Sequence, residues 1–227
     1  MPTPFTDIYC QNYVIKSDKR LAKLSPPNLL ALNWKYLRYA ISYFLKDDYP
    51  SDGQTEPKVS RYIPFSQNCY TYTADGIETI FTLGKPKIVD GVLYITSTVN
   101  DEITVVDDSQ YSYDNLTNSV IFKTAPYSGE IIEIVDYNTG NFLDELDELE
   151  VTILSEGCSI PYLQESQSRQ SLLQMAISGQ LKIHSQAEQL KQIGIIVQNQ
   201  INYVDRLIMN YSYRYNQNNY TGLRGNV

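Results

Sequence analysis

The chain has 227 residues, of which 42% are apolar and 19% are charged, and these proportions favour a folded protein with a substantial core. Eighteen basic against 26 acidic residues give a net charge of −8, which argues against a protein whose main task is to grip phosphate backbones or anionic lipid. No stretch approaches the roughly 20 apolar residues that span a bilayer, and the first residues lack the pattern of a signal peptide, so we expect neither.

Two helices are predicted within an N-terminal segment of residues 1–52. A short helix is expected over Ser17–Leu24. A longer one is expected from Pro26 to about Leu45, because Ser25 can cap it and proline suits a first helical turn. Its core-facing positions are predicted to be Leu30, Asn33, Leu37, Ala40, Ile41 and Phe44, with Lys35, Arg38 and Lys46 pointing elsewhere.

A linker rich in Asp, Pro, Gly and Ser follows, and beyond it the hydrophobic period changes from 3.6 to 2. The strands predicted there are Glu78–Leu83, Gly91–Val99, Glu102–Asp107, Gln110–Asp114, Ser119–Thr124 and Glu130–Tyr137. Short strands at even spacing, separated by turn residues, predict a small antiparallel β-sandwich over residues 58–139.

The helical period returns in residues 141–209. Asn141 is predicted to cap a helix over Phe142–Ser155 that ends at Gly157, and a further helical run covers about Gln164–Ser178. Together with the N-terminal segment these residues predict an α+β fold, in which a helical bundle built from both ends of the chain carries an inserted sandwich.

The last predicted helix carries the most regular pattern of the chain. Its apolar seam, spaced alternately by four and three residues, comprises Leu190, Gly194, Val197, Ile201, Val204, Ile208 and Tyr211. Such a heptad seam over three repeats packs either within the subunit or between subunits. Packing within the subunit is the favoured interpretation, because any long helix of a bundle shows such a stripe, and packing between subunits stays open.

Residues 210–227 show no apolar period and are predicted to form an extended C-terminal arm. No acidic residue follows Asp205. The residues expected to anchor this arm on a partner are Tyr211, Tyr213, Arg214, Tyr215, Tyr220 and Arg224, which belong to the types that dominate interface energetics. A disordered terminus is the alternative. The excess of tyrosine in the whole chain, 20 residues against six Phe, likewise fits protein contacts or a bias of an A/T-rich genome.

Candidates for catalysis or metal binding are few. His184 is the only histidine, and the cysteines Cys10, Cys69 and Cys158 are scattered, which predicts free thiols and no zinc site. Nucleophile-elbow and phosphate-loop motifs are missing. The acidic residues of 144–150 are expected to form a solvated helix face, while Asp107, Asp108 and Asp114 offer a weaker possibility of a structural cation. We therefore predict no enzyme, no cofactor and no resident metal.

The β segment resembles a sandwich that recurs in neck and tail proteins of tailed phages. The shared phrases are DGxxTxFxL, at Asp75–Leu83, and YxYD…N…VxFxTAPxxGExIxI, at Tyr111–Ile134. With helices on both sides of the sandwich and an arm at the end, the chain is similar to head-to-tail adaptor proteins of short-tailed phages. Its composition, rich in Tyr, Asn and Ile, resembles that of the crAss-like group.

The resemblance implies a function and partners. Such adaptors form a ring, typically of about twelve subunits, between portal vertex and tail, through which genomic DNA passes without specific binding. The implied partners are further copies of the chain, the portal protein and other tail or ring proteins. The implied location is the virion neck, after assembly in the host cytoplasm. The helices Leu29–Leu45 and Leu190–Tyr211 would build the ring, and residues 210–227 would form its arm.

Two other functions stay open. The chain also fits a tail-hub or fibre-attachment component. A different class of protein, a carbohydrate-binding module on a helical stalk, would use exposed aromatic side chains of the sandwich. The candidates for such a sugar platform are Tyr94, Tyr111, Tyr113 and Tyr127.

Overall fold

The computed structural model describes residues 1–12, 15, 17–46, 58–177 and 183–222, with side chains described outside 170–190 and 214–222. The chain divides into two compact units. The helical unit comprises Met1–Leu24, Leu32–Ile63 and Asn141–Val227, and the sandwich unit comprises Ser25–Ala31 and Pro64–Gly140. Helices at both ends of the chain and a central antiparallel sandwich confirm the predicted α+β fold.

The helices of the described residues are α1 (Phe5–Gln11), α2 (Pro26–Phe44), α3 (Glu148–Ile177) and α4 (Ile183–Gly222). Short 3₁₀ turns lie at Leu21–Lys23 and Lys58–Ser60. A two-stranded antiparallel sheet joins β1 (Tyr62–Ile63) to β9 (Asn141–Phe142) at the two ends of the insertion. Pro4 bridges to Asn141 on the same strand, so the N-terminus extends this small sheet.

Helix α2 confirms the prediction for its bounds and for its core-facing side. Leu37 and Ile41 are buried, and Lys35 and Arg38 are exposed. The helix predicted over Ser17–Leu24 is wrong, because only the 3₁₀ turn at Leu21–Lys23 forms there. The Asp18 carboxylate accepts a hydrogen bond from the Arg20 N–H at 2.9 Å, which favours a turn over a helix.

Helix α3 begins later than predicted, at Glu148. Residues 141–142 are strand β9, so Asn141 does not cap a helix. The cap lies instead at Asp147, whose carboxylate accepts from the Glu150 N–H at 2.8 Å, while the Glu150 carboxylate accepts from the Asp147 N–H at 2.8 Å. This reciprocal pair is a capping box, which satisfies two donors of the first turn.

Helix α3 also continues through Gly157, which was predicted to end it. The run predicted at Gln164–Ser178 is the second half of this helix up to Ile177, and Ser178 lies outside the described residues. Gly157 faces α2, where a Cβ atom would lie 2.9 Å from the Cβ of Ala40. Glycine therefore serves here to let two helices approach closely, and helix termination is not its function.

The core of the helical unit combines an aromatic cluster with a buried polar bridge. The Phe5 ring stacks on Trp34 at 5.2 Å and meets Phe142 edge-on at 5.0 Å, so α1, α2 and β9 meet at one point. Asn12, just after α1, donates from Nδ2 to the Ser155 carbonyl at 2.5 Å. Helix α1 was not predicted, since two helical turns are too short to show a period.

The sandwich unit contains two antiparallel sheets. The four-stranded sheet has the order β2 (Gln67–Thr73), β8 (Ile131–Tyr137), β4 (Val92–Val99), β5 (Glu102–Val105), and the three-stranded sheet has the order β3 (Ile80–Thr82), β7 (Ser119–Phe122), β6 (Tyr111–Asp114). All six predicted strands are present. Strand β2 was missed because its sequence, QNCYTYT, is polar. The core residues are Phe81, Leu83, Ile95, Val120, Phe122, Ile132 and Ile134.

The two phage-like phrases encode turns and core of this sandwich. Asp75 accepts hydrogen bonds from the N–H groups of Ile77 and Glu78 at 2.8 and 2.7 Å, and Gly76 adopts a φ of 86°. In the second phrase Gly129 adopts a φ of 84°, in the turn that precedes β8. The phrases therefore specify a fold, and no ligand-binding residue stands out in them.

Candidate interaction surfaces

The predicted heptad seam of α4 packs inside the helical unit. Val197, Val204 and Ile208 are buried, Ile201 is half-buried, and Leu190 lies among the residues whose side chains are not described. Polar contacts hold the antiparallel pair of α3 and α4. Gln200 donates to the Glu156 carboxylate at 2.8 Å. The neighbours of the described seam thus belong to the same chain.

Tyr211 was predicted to be an anchor of the arm, yet it lies in the bundle. Its hydroxyl donates to Glu150 Oε1 at 2.6 Å, and its ring meets Phe44 edge-on at 5.4 Å. Glu150 is buried, and its Oε2 lies 3.9 Å from Lys58 Nζ. Tyr211 therefore connects α4 to α2 and α3 within the chain.

The extended arm predicted from residue 210 is wrong over residues 210–222, which continue α4 to Gly222. The segment lacks Pro and Gly before that residue, and a helix already packed along its first half propagates at little cost. Tyr213 is 66% exposed. Arg214, Tyr215 and Tyr220 lie on the helix without described side chains, and Arg224 lies outside the described residues.

Helix α4 carries a second line of residues at heptad spacing, which the sequence analysis did not predict. We define the outer stripe as Ile195, Asn199, Asn202, Arg206, Met209 and Tyr213, spaced by 4, 3, 4, 3 and 4 residues. All of these residues are exposed, and Met209 is 62% exposed. The outer stripe repeats with the period of the buried seam, two residues earlier along the chain. The stripe includes Asn199, Asn202 and Arg206, so it does not show as an apolar period in the sequence.

The candidate sugar platform does not form an exposed aromatic surface. Tyr111 and Tyr113 pack against the sandwich core, and their hydroxyls donate to Asp108 and Asn118 at 2.7 and 2.6 Å. Burial, together with the bond to Asp108, raises the pKa of Tyr111. Tyr94 is half-buried, whereas Tyr127 is exposed. Sugar-binding faces need several aromatic rings open to solvent, which these four tyrosines do not supply.

The candidate cation ligands are engaged in their own turns. Asp107 accepts from the Ser109 N–H at 2.8 Å. Hydrogen bonds from the side chain and the N–H of Ser109 lower the pKa of Asp107. Asp114 accepts from Thr117 Oγ1 at 2.6 Å. In the part of the chain that the structure describes, no three His, Cys, Asp or Glu side chains converge as metal ligands.

Neither a protein-family model nor a curated protein matches the sequence. Among the described helices, none combines the length and the apolar character that crossing a bilayer requires. The outer stripe of α4 and strand β5 both carry exposed large apolar side chains, among them Ile195 and Met209 on α4 and Ile103 and Val105 on β5.

Proposed function

We propose that this chain is a structural virion protein whose copies form a ring between portal vertex and tail, with the genomic DNA passing through its channel. Its partners in this proposal are further copies of itself, the portal protein and neighbouring neck proteins. Support comes from the sandwich phrases at Asp75–Leu83 and Tyr111–Ile134 and from the helical unit that both ends of the chain build.

The observation that carries the proposal is the pair of stripes on α4. Three of the six residues of the outer stripe are large and apolar or aromatic, and exposed apolar residues in line along a helix offer a contact surface to a second neighbour. Helix α3 of the same chain contacts α4, with Tyr211 adding a contact to Phe44 of α2. The outer stripe, with Ile195, Met209 and Tyr213 exposed, is left for a helix of another subunit.

The charge of the chain is compatible with a channel for DNA. A net charge of −8 per subunit gives a ring of about twelve copies a total near −100. Like charge keeps passing DNA from adhering to the wall. A lumen dominated by Lys and Arg would contradict this part of the proposal, and a structure of the assembled ring would reveal it.

Assembly of the purified full-length chain tests the proposal. We expect closed rings in negative-stain images and one dominant stoichiometry in native mass spectra, with a portal protein increasing the yield of rings. A ring requires a heterologous contact, in which the outer stripe meets a different surface of the next copy. A chain that stays monomeric at about 100 μM, both alone and with the portal protein, would refute the proposal.

A further inference from the structure

Strand β5 forms an open edge of the four-stranded sheet. It pairs with β4 on one side, and no other described strand lies beside it. The Val106 N–H donates to the Ile95 carbonyl at 2.9 Å, which makes these two residues a hydrogen-bonded pair. Such pairs alternate along an antiparallel ladder, so the N–H and C=O groups of Ile103 and Val105 point away from β4 towards the open edge.

This edge combines unpaired backbone groups with exposed aliphatic side chains. Ile103 is 69% exposed and Val105 is 61% exposed. Natural proteins protect edge strands by keeping them short or with charged residues, above all Lys, with Pro or with a bulge. Strand β5 has only four residues and carries Glu102, but residues 102–105 contain neither Lys nor Pro. At the opposite edge of the sheet, the residues of β2 whose backbone groups face outwards supply no branched aliphatic side chain. They are Gln67, Cys69, Thr71 and Thr73.

Exposed acidic residues lie at both ends of β5. Asp101 precedes the strand, Glu102 begins it, and Asp107 and Asp108 follow it. A second copy that paired its own β5 across this edge through Ile103 and Val105 would run antiparallel and set Asp101 opposite Asp107 at both ends. Like charges directly opposite each other destabilise a strand pair. The charges therefore disfavour a second copy and favour a strand with basic ends.

We propose that the open edge of β5 is a docking site for an extended segment of a different polypeptide. That segment carries aliphatic residues at two alternate positions, next to Ile103 and Val105, and Lys or Arg on either side of them. It adds to the sheet as a fifth strand, with main-chain hydrogen bonds to Ile103 and Val105. This inference does not depend on the ring proposal, because a monomer presents the same edge.

The probe is a capped seven-residue peptide of sequence RTVTVTR, and its control is ETVTVTE. The peptides match residues 101–107 in length and place valine opposite Ile103 and Val105. With the full-length chain we expect saturable binding of the Arg-flanked peptide, at least about tenfold tighter than that of its control. Amide exchange of Ile103 and Val105 is expected to slow when this peptide binds.

Two sets of variants locate the site. Val105→Pro removes one N–H that faces the open edge and leaves the ladder to β4 intact, so we expect at least about tenfold weaker peptide binding at an unchanged Tm. Thr104→Pro removes an N–H of that ladder and should lower the Tm.

The double variant Asp101→Asn, Asp107→Asn removes the acidic charges at both ends of β5. It keeps both turns, because Asn tolerates the φ of 66° at position 101.

The double variant is expected to lose the preference for the Arg-flanked peptide, and it provides the test should Val105→Pro fail to fold. Three results would each overturn the proposal. They are equal binding of the two peptides by the unmodified chain, no saturable binding of the Arg-flanked peptide at about 1 mM, and binding without protection of the Ile103 and Val105 amides.

Discussion

Gly157 and Gly194 allow a matched test of helix packing at the scale of one residue. A Cβ atom at 157 would lie 2.9 Å from Ala40, whereas a Cβ atom at 194 would meet only Gln167 Nε2, at 3.6 Å. We expect Gly157→Ala to lower the free energy of unfolding by about 1–2 kcal/mol through overpacking. Gly194→Ala should raise it by about 0.5–1 kcal/mol, because alanine favours a helix. Urea denaturation measures both, and an unchanged stability of Gly157→Ala would refute the close approach.

Asp136 gives the sandwich a pH dependence of stability. Burial raises the pKa of its carboxyl above the ordinary 3.8, although the Ile88 N–H, which donates to Oδ2 at 2.7 Å, opposes the change. The folded state therefore binds this proton more tightly than the unfolded state does. The contribution of Asp136 to stability falls as the pH rises from about 4 through the raised pKa, and it stays low above that value.

Asp136→Asn keeps an acceptor for the Ile88 N–H and removes the titration. We expect the variant to have a higher Tm than the original chain at neutral pH, and the difference should shrink towards pH 4, measured by thermal unfolding at several pH values. A variant that is less stable at neutral pH would show that the ionised carboxylate stabilises the fold.

Sequence patterns predicted most buried positions of α2, including Asn33, but missed Tyr36 in the same helix and Asn12 outside it. The apolar period of α2 predicts that Leu37 and Ile41 are buried, because residues one helical turn apart lie on the same face. Asn12 is buried because it bonds Ser155, which lies 143 residues further along the chain. A contact of that separation leaves no trace in local composition.

At the scale of the element, two residues of α4 separate folding from assembly. Val197→Asp places a charge in the buried seam, so we expect a loss of several kcal/mol in the free energy of unfolding. Ile195→Asp changes the exposed outer stripe only two residues away. We expect it to leave the Tm within about 2 °C of the original and to reduce ring formation.

Thermal unfolding and negative-stain microscopy on both variants provide the measurements. Leu116→Asp is the control for a new exposed charge, because Leu116 lies almost fully exposed in a turn of the sandwich. An unaltered Tm of Val197→Asp would show that the seam is misassigned. Normal rings from Ile195→Asp would remove the outer stripe from the proposed interface.

Two truncations at the C-terminal end of α4 test the structural role of Tyr211. Deleting residues 214–227 keeps Tyr211 and should leave the Tm nearly unchanged while weakening assembly. Deleting residues 210–227 also removes the hydroxyl that donates to the buried Glu150 carboxylate, at a cost of about 1–3 kcal/mol. The larger deletion should therefore melt several degrees lower. Equal Tm values would contradict the structural role of Tyr211.

Hydrophobic periods predicted which helices and strands exist better than they predicted the residues at which these begin and end. Asn141 and Phe142 were predicted to begin a helix, but pairing with Tyr62–Ile63 makes them a strand. The residues after Tyr211 lack an apolar period, yet they extend a helix that is already packed. At residues 141–142 a contact distant in sequence overrides local preference, and beyond Tyr211 an existing helix propagates.

At the scale of the whole molecule, the insertion explains how one chain holds two units. In the helical unit, Tyr62 and Phe142 are partners in a strand pair where the chain leaves and returns. Near the two ends of Pro64–Gly140 in the sandwich unit, the Ser66 N–H donates to Asn138 Oδ1 at 2.8 Å. Ends held this close allow an inserted unit to form without interrupting the helices.

The function is harder to predict from sequence than the fold is, for a physical reason. The phrases that carry the phage resemblance hold core residues such as Phe81 and Phe122 and turn glycines such as Gly76. Packing and backbone geometry constrain those residues, whatever the sandwich binds. The open edge of β5 and the outer stripe of α4 consist of exposed residues, whose identity depends on a partner outside the chain.

Net charge gives the two proposed contacts opposite responses to salt. Every copy carries −8, and the outer stripe has Arg206 as its only charged member, so repulsion between copies opposes ring formation at low salt. Raising the salt from about 0.01 M to 0.15 M shortens the screening length from about 30 Å to about 8 Å. We therefore expect rings to become more abundant in sedimentation velocity, while the Arg-flanked peptide binds β5 more weakly by fluorescence anisotropy. Rings that dissociate over this range would mean that ion pairs hold the subunits together, contrary to an interface built on Ile195, Met209 and Tyr213.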